Sequence, residues 1–329
     1  MLSKSKLSMD HAVSLLKAAG ETTRLRLLAL LSHGDLTVSD LIDILGQSQP
    51  RISRHLKLLS EAGLLERYQE GAWAYFRASE EGAQAELVRA LLAHVSESDP
   101  QLLRDLERLE AVRARRAAEA AHYFAANAAD WDEIRSLHAD DKAVEAAIVD
   151  LLGSQPFEAL LDLGTGTGRM LELLSPLYGR AVGVDQSREM LAIARANLDK
   201  ADLKGGGLSR VQVRQGDLLS LPIREEAYDL VTLHQVLHYL EDPARAIRIA
   251  ARTLKPGGRM LIVDFAPHDL DHLRDKHAHL RLGFASEQVS GWLEAASMEV
   301  TATRKLRPEA GKSLIVTIWL AASPAASQC

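Results

Sequence analysis

Cysteine is nearly missing from this 329-residue chain: the only one, Cys329, is its last residue. No disulfide can close within the chain, and no multi-cysteine metal site can form. Aromatic residues are scarce at 5%. No apolar run reaches the roughly 18 residues that a membrane-spanning helix needs. The first ten residues are polar, carry Lys4 and Lys6, and have no apolar stretch behind them, so no secretory signal is evident. These absences fit a cytoplasmic protein. What is present, 47% hydrophobic and 26% charged residues, excludes wholesale disorder. The length suggests about two domains, either half being long enough to bury its own core.

The net charge of −6 is unevenly spread. Residues 1–79 hold ten Lys/Arg against eight Asp/Glu, and the rest hold 29 against 37. A mildly basic head on an acidic body permits nucleic-acid contact at the head, but so small an excess leaves the argument to the placement of individual residues. Three textures follow one another and give the expected boundaries. Residues 1–80 are short helical patterns ending in a β-like stretch, and 81–121 form an Ala/Leu/Arg/Glu-rich helical arm. Residues 122–322 alternate short apolar runs with helices, the pattern of a parallel α/β sheet.

In the head, Thr37 with Asp40 three residues on reads as a capping box opening a helix over Val38–Leu45, stopped by Gly46. Ser48 can cap a second helix, with Pro50 tolerated in its first turn and Gly63 ending it. Helix, short turn, helix is a helix-turn-helix. On the second helix Ile52, Leu56 and Leu59 share a core-facing stripe, whereas Ser48, Gln49, Arg51, Ser53, Arg54, His55 and Lys57 offer groups suited to phosphates and base edges. Two strand-like runs flank Glu70-Gly71 and would form a wing carrying Trp73. A solvated basic face on a small helical domain is the blander alternative; turn and wing together favour DNA. The stretch from Leu16 to Ser79, above all "SQPRISRHLKLLSEAGLL", resembles the ArsR-type winged-helix repressors. The resemblance implies a dimer reading a palindromic operator. It also places Thr37 where metal-sensing members carry a cysteine, so that thiolate site is not expected here.

The arm carries Leu102, Leu106, Leu109 and Val112 at helical spacing, a stripe to be buried either on the chain's own domains or in a dimer seam. Tyr123, Phe124 and Trp131 follow. These rings are core anchors or, as the family resemblance of the body implies, Tyr123 and Trp131 belong to a substrate pocket.

In the body, the apolar strand Ala159–Leu163 runs into Gly164-Thr165-Gly166-Thr167-Gly168 and a helix expected over Arg169–Leu177. Glycines at such a bend let a ligand approach the backbone closely. A second strand ends in Asp185, whose carboxylate can accept from both hydroxyls of a ribose. The spacing is G-x-G-x-G, preceded by Asp162, which suits a ligand with an ammonium and no pyrophosphate; S-adenosylmethionine is such a ligand, and NAD is the weaker alternative. Asp217 follows a third strand, His234-Gln235 ends a fourth, and "LKPGGR" is expected as a tight turn into a fifth.

Taken in order, "LLDLGTGTG", "VGVD", "GDLLSLP", "YDLVTLHQVLHYLEDP" and "LKPGGRMLIVDF" resemble the class I S-adenosylmethionine-dependent methyltransferases, nearest the UbiE-like small-molecule group. The resemblance implies a Rossmann-like sheet with helices on both faces. It implies that Asp162, Gly164, Thr165, Gly166 and Gly168 line the methionine moiety, that Asp185 and Gln186 hold the ribose, and that Gly216, Asp217 and Leu218 frame the adenine. His234 would close the pocket floor and is the weak candidate for a catalytic group, with His238 on the substrate side. His234-Gln235 stands where amino-methylating DNA enzymes carry Asn/Asp-Pro-Pro-aromatic, which disfavours DNA methylation, and the lone cysteine disfavours arsenite methylation. Six histidines fall between 234 and 279, but loop and pocket roles outweigh a metal site, and no metal is expected. The expectation is an α/β protein with a winged helix-turn-helix head: an operator-binding homodimer whose body binds S-adenosylmethionine or S-adenosylhomocysteine. That body either methylates a small molecule or serves as a non-catalytic sensor.

Overall fold

The computed structural model describes residues 7–34, 36–70, 73–79, 82–128, 141–202, 211–220, 227–307 and 314–325. Expectations for Trp131 and the side chain of Trp73 lie outside the described residues. The chain divides into two compact units, Met1–Ala118 and Glu119–Cys329. The helical arm is therefore not a separate body; most of it belongs to the head.

The head begins with α1 (Met9–Ala19) and α2 (Thr22–Leu31). Then come the short β1 (Leu36–Thr37), α3 (Val38–Leu45) and α4 (Gln49–Glu61). The hairpin β2 (Leu65–Glu70) and β3 (Trp73–Ala78) completes a three-stranded sheet in the order β1-β3-β2. The start of α3 is set by its sequence. Thr37 Oγ1 accepts from the Asp40 amide at 3.2 Å, and Asp40 Oδ2 accepts from the Thr37 amide at 2.8 Å. The two side chains thus satisfy orphan donors reciprocally. Gly46, at φ 64°, ends the helix in the left-handed region that favours glycine. Ser48 occupies the N-cap of α4 without making a side-chain capping bond, which leaves its hydroxyl uncommitted to the helix.

Two further helices complete this unit, α5 (Gly82–Leu92) and α6 (Pro100–Asn127), the latter continuing past Ala118. Leu109 and Val112 are buried in the head core with Leu27, Leu41, Ile52 and Leu59, and Leu106 packs against it. Three of the four stripe residues are therefore spent on the head's own core, each such side chain gaining roughly 1.5–3 kcal/mol by leaving water. Polar clamps secure the helix. Arg26 donates twice to the fully buried Asp105, at 2.6 and 2.7 Å, and Arg108 donates to the Ile44 carbonyl.

The body opens with α7 (Asp141–Leu152) and β4 (Phe157–Leu163), followed by α8 (Arg169–Leu173) and β5 (Tyr178–Asp185). Then come α9 (Arg188–Asp202), β6 (Val211–Gln215) and β7 (Tyr228–His234). After a 3-10 turn at Leu237–Tyr239 lie α10 (Pro243–Thr253) and β8 (Leu254–Phe265). The chain ends with α11 (His272–His277), α12 (Ser286–Ala295), β9 (Glu299–Leu306) and β10 (Val316–Ala322). The sheet order is β6-β5-β4-β7-β8-β10-β9, with β10 antiparallel to both neighbours and β4 to β8 parallel. Central strands buried on both faces read as unbroken apolar runs, as Leu160-Leu161 and Leu230-Val231 do. One core cluster lies around Leu160, Leu171 and Ile318, another around Leu161, Leu233 and Trp319.

Two local expectations are corrected. The helix after the glycines stops at Leu173, not Leu177: Leu174 caps it, Pro176 follows, and Tyr178 already pairs as strand with Phe157. "LKPGGR" is not a turn before β8 but part of it, taken up as an irregularity between the Tyr228–Leu254 and Leu230–Arg259 pairs with Gly257 at φ 74°.

Candidate cofactor site and candidate nucleic-acid interface

The parallel strands β4, β5 and β7 all end on one edge, and the strand order reverses between β4 and β7, the place where open α/β sheets bind ligands. The glycine bend leaves β4 there. Gly164, Gly166 and Gly168 all have positive φ (73°, 52° and 86°). At Gly164 any Cβ would also collide with the Val236 side chain, so only glycine fits.

Asp162 is 1% exposed. Its Oδ1 accepts from the Thr232 hydroxyl at 2.6 Å across the β4–β7 pair, while its Oδ2 is buried without a hydrogen-bond partner. Burial pushes this carboxyl up to about 6; the Thr232 and Thr165 hydroxyls pull it back in part, and the Asp185 charge adds to the upward push. The Thr165 hydroxyl lies close enough to exert that pull, yet neither it nor Asp162 Oδ2 has a partner of normal hydrogen-bond geometry. Gln235, just past β7, completes this group: its φ is 53° and its buried Nε2 lacks a partner. Strained backbone and unsatisfied buried polar atoms at one strand edge are the mark of a ligand site.

Asp185 Oδ2 accepts from the Gly166 amide at 2.8 Å and Oδ1 from the Ser187 amide at 2.9 Å. A carboxylate offers about four lone-pair sites, and with the Gln186 amide also acting on it room for a further donor such as a ribose hydroxyl remains. Burial, the largest influence, raises its pKa, and the amides work against it. Gln186 donates to Asp217 at 3.0 Å, and Asp217 also accepts from the Leu219 amide and the Ser220 hydroxyl. Gly216, linked to the Asp185 carbonyl, and the buried Leu218 stand beside them. Arg169 holds the far side of the bend by a bidentate bond to Glu145, both contacts 2.6 Å.

His234 is the last residue of β7 and half-buried. His238 is not an open pocket wall: it is 1% exposed and bonded through Nδ1 to the buried Asp264 at 2.8 Å. Tyr123 bonds His277 Nδ1 at 2.8 Å through its hydroxyl, and Phe124 packs edge-on against Tyr239 at 4.8 Å. Among the described residues no group of three or more His, Cys, Asp or Glu is placed to hold a metal ion. Sequence reasoning missed Thr232, Gln235 and Asp264. The signal for all three was position: each lies at or beside the C-terminal end of a parallel strand, where ligands gather.

In the head, Arg51, Ser53, Arg54 and Lys57 are exposed on α4, as is Gln49 at its start. His55 departs from the expected set: its ring turns inward, 3.7 Å from Glu21, and burial lowers its pKa. The helical turn that points Ile52, Leu56 and Leu59 into the core carries His55 to the core's margin.

Residues 21–67 match the family model described as Bacterial regulatory protein, arsR family, and residues 161–262 match the one described as Methyltransferase domain. The chain carries an arsR-family helix-turn-helix domain and a methyltransferase domain. The methyltransferase YcgJ of Bacillus subtilis is 33% identical over 138 residues, covering 39% of this chain and 52% of that protein. The ubiquinone/menaquinone biosynthesis C-methyltransferase UbiE of Vibrio vulnificus is 29% identical over 161 residues, 47% of this chain and 60% of UbiE. The chain thus spans about half the length of the curated relatives it matches. A methyltransferase solved in complex with the Trm112 activator of Haloferax volcanii superposes with a TM-score of 0.50 at 21% identity, covering 61% of this chain and 97% of that one, a likeness of fold. The cofactor of such a domain is S-adenosylmethionine, or its demethylated product.

Proposed function

We propose that this protein is a DNA-binding transcription regulator whose body binds S-adenosylmethionine and methylates a small molecule. The observation that carries the reading is the buried, unpartnered Oδ2 of Asp162 beside the Gly164 bend. Left alone, a buried carboxylate oxygen costs free energy; an amino-acid ammonium repays it. Asp185 has room for a ribose hydroxyl, and Asp217 with Gln186 has the polarity for an adenine edge. Gly216 and Leu218 would flank the base, and Thr165, Gly166 and Gly168 would lie along the methionine chain. When bound, the cofactor supplies an electrophilic methyl on a sulfonium. The chain's own part is to fix the acceptor in line with that methyl and exclude water, which supplies most of the rate.

In the head, Arg51, Arg54 and Lys57 would meet phosphates, with Gln49, Ser48 and Ser53 near base edges. Operator binding calls for two copies. Supporting a homodimer, Met9, Val13 and Leu16, one face of α1, are 80%, 40% and 48% exposed. No helix among the described residues is long and apolar enough to cross a membrane.

A second reading, a sensor of cofactor or product, is favoured by α6, one helix with residues in both units. DNA titrations with S-adenosylmethionine, with S-adenosylhomocysteine and with neither separate the two. A ligand-dependent change in affinity supports the sensor. Constant affinity, with methyl transfer to a metabolite panel, supports the enzyme. DNA binding in none of the three conditions removes the regulator reading.

A further inference from the structure

We propose that the body carries a second contact for the DNA duplex: a row of arginines on α10, continued by Arg180, that meets the phosphate backbone without reading sequence. The proposal rests on the head being a DNA-binding domain and extends the interface beyond it.

The row follows from helix spacing. Arg245, Arg248 and Arg252 stand three and four residues apart in α10, so they share one side of it. All three are exposed, whereas Ala246, Ile247 and Ala250 turn into the core around Leu161 and Leu233. The helix, PARAIRIAART, holds no Asp or Glu. Seven residues of helix rise about 10 Å, close to three steps of about 3.4 Å along one DNA strand.

Contacts at both ends carry the row across the sheet. Arg245 Nη2 donates to the Leu219 carbonyl at 3.4 Å, past the C-terminal end of β6. At the other end of α10 the Thr253 carbonyl accepts from the Ala227 amide at 2.9 Å, and the Ala227 carbonyl accepts from Arg180 Nη2 at 3.3 Å. Arg180 is exposed near the start of β5, its guanidinium 5.7 Å from the centre of the Tyr228 ring. Tyr228 packs in the same core cluster as Ile247, which puts Arg180 on the α10 side of the sheet. The arginines therefore run from the C-terminal strand edge to the opposite one.

Pairing sets these side chains apart from other arginines of the chain. Arg26, Arg115, Arg169 and Arg304 each meet a carboxylate. Arg180, Arg245 and Arg248 form no ion pair among the described residues. Asp242, the nearest acid in sequence to Arg245, is occupied in capping α10, accepting from the Arg245 amide at 2.9 Å. A guanidinium without a carboxylate can turn its fork of donors to a phosphate. The charge around the row selects the partner. Residues 80–329 hold 29 Lys/Arg against 37 Asp/Glu, so a polyanion is repelled over most of the body and admitted at this row. A duplex held by the head of the same chain is present at a raised effective concentration, so contacts too weak to bind alone add to affinity. That tether favours a duplex over an acidic protein.

The test is the salt dependence with which the full chain binds a random-sequence DNA duplex. Each phosphate neutralised adds about 0.9 to the slope of log affinity against log salt. Arg245→Ala/Arg248→Ala should therefore lower the slope by about two, and adding Arg180→Ala should lower it by about one more. Arg245→Lys/Arg248→Lys should keep the wild-type slope, because the number of charges governs it. Exposed replacements of this kind should leave Tm nearly unchanged. The double variant leaves Arg180 on Tyr228 undisturbed and decides the matter if the triple variant does not fold. An unchanged slope in the folded alanine double variant, whether the row then serves an acidic protein or solvent alone, overturns the proposal. So does a slope that falls as far with lysine as with alanine. Wild-type chain that binds no duplex overturns the DNA-binding reading beneath it, a separate failure.

Discussion

Single residues at the glycine bend set the pH behaviour. Asp162 has a folded-state pKa of about 6 against an ordinary 3.8. The ligand-free folded chain therefore binds this proton more tightly than the unfolded chain, and the group's contribution to stability falls as pH rises from about 4 to about 6. At roughly 1.4 kcal/mol per pH unit, the loss is on the order of 3 kcal/mol. An ammonium partner needs the ionised form, so affinity for S-adenosylmethionine should rise with pH through about 6 and level off above it. Calorimetry at pH 5 and 7.5 should show this, and Asp162→Asn should both weaken binding and flatten the dependence. Gly164→Ala meets both a positive φ and the Val236 side chain. It should cost a few kcal/mol, about 1–3 from strain alone, read as a lowered Tm together with lost cofactor binding. The carboxylate–glycine spacing around Asp162, Gly164 and Asp185 was legible in the sequence because bend and strand ends are local. Gln235's strained backbone and the His238–Asp264 pairing were not, since each depends on strands that meet only in the folded sheet.

At the scale of elements, α3 and α6 show the same contrast. The α3 start was readable because its capping box spans only three residues. The burial of Leu109 and Val112 was not, because helical spacing announces a buried face without naming what covers it. Asp105 lies fully buried against Arg26. Replacing it with alanine leaves an unpaired guanidinium at the α2–α6 contact and should destabilise the head by about 3–5 kcal/mol, measured by denaturant unfolding. On α4, Arg54→Ala should weaken DNA binding across sequences and reduce the salt slope by about one if Arg54 meets a phosphate. His55→Ala should leave that slope unchanged, since its ring faces Glu21. Equal slopes for wild type and Arg54→Ala would remove Arg54 from the interface.

For the whole molecule, an arsR-family match in the head and a methyltransferase match in the body of one chain underlie the two binding activities proposed, one for a duplex and one for a charged nucleoside. Both rest on polar groups that the folded chain leaves available: arginines exposed on α4 and an unpartnered carboxylate oxygen at Asp162. The most direct measurement is calorimetric titration of S-adenosylmethionine and S-adenosylhomocysteine into the full-length protein and its Asp185→Ala variant. One site per chain is predicted, weakened about tenfold or more in the variant by loss of a charge-assisted bond of about 1.5–3 kcal/mol. A folded wild-type protein that takes up neither nucleoside would contradict the account.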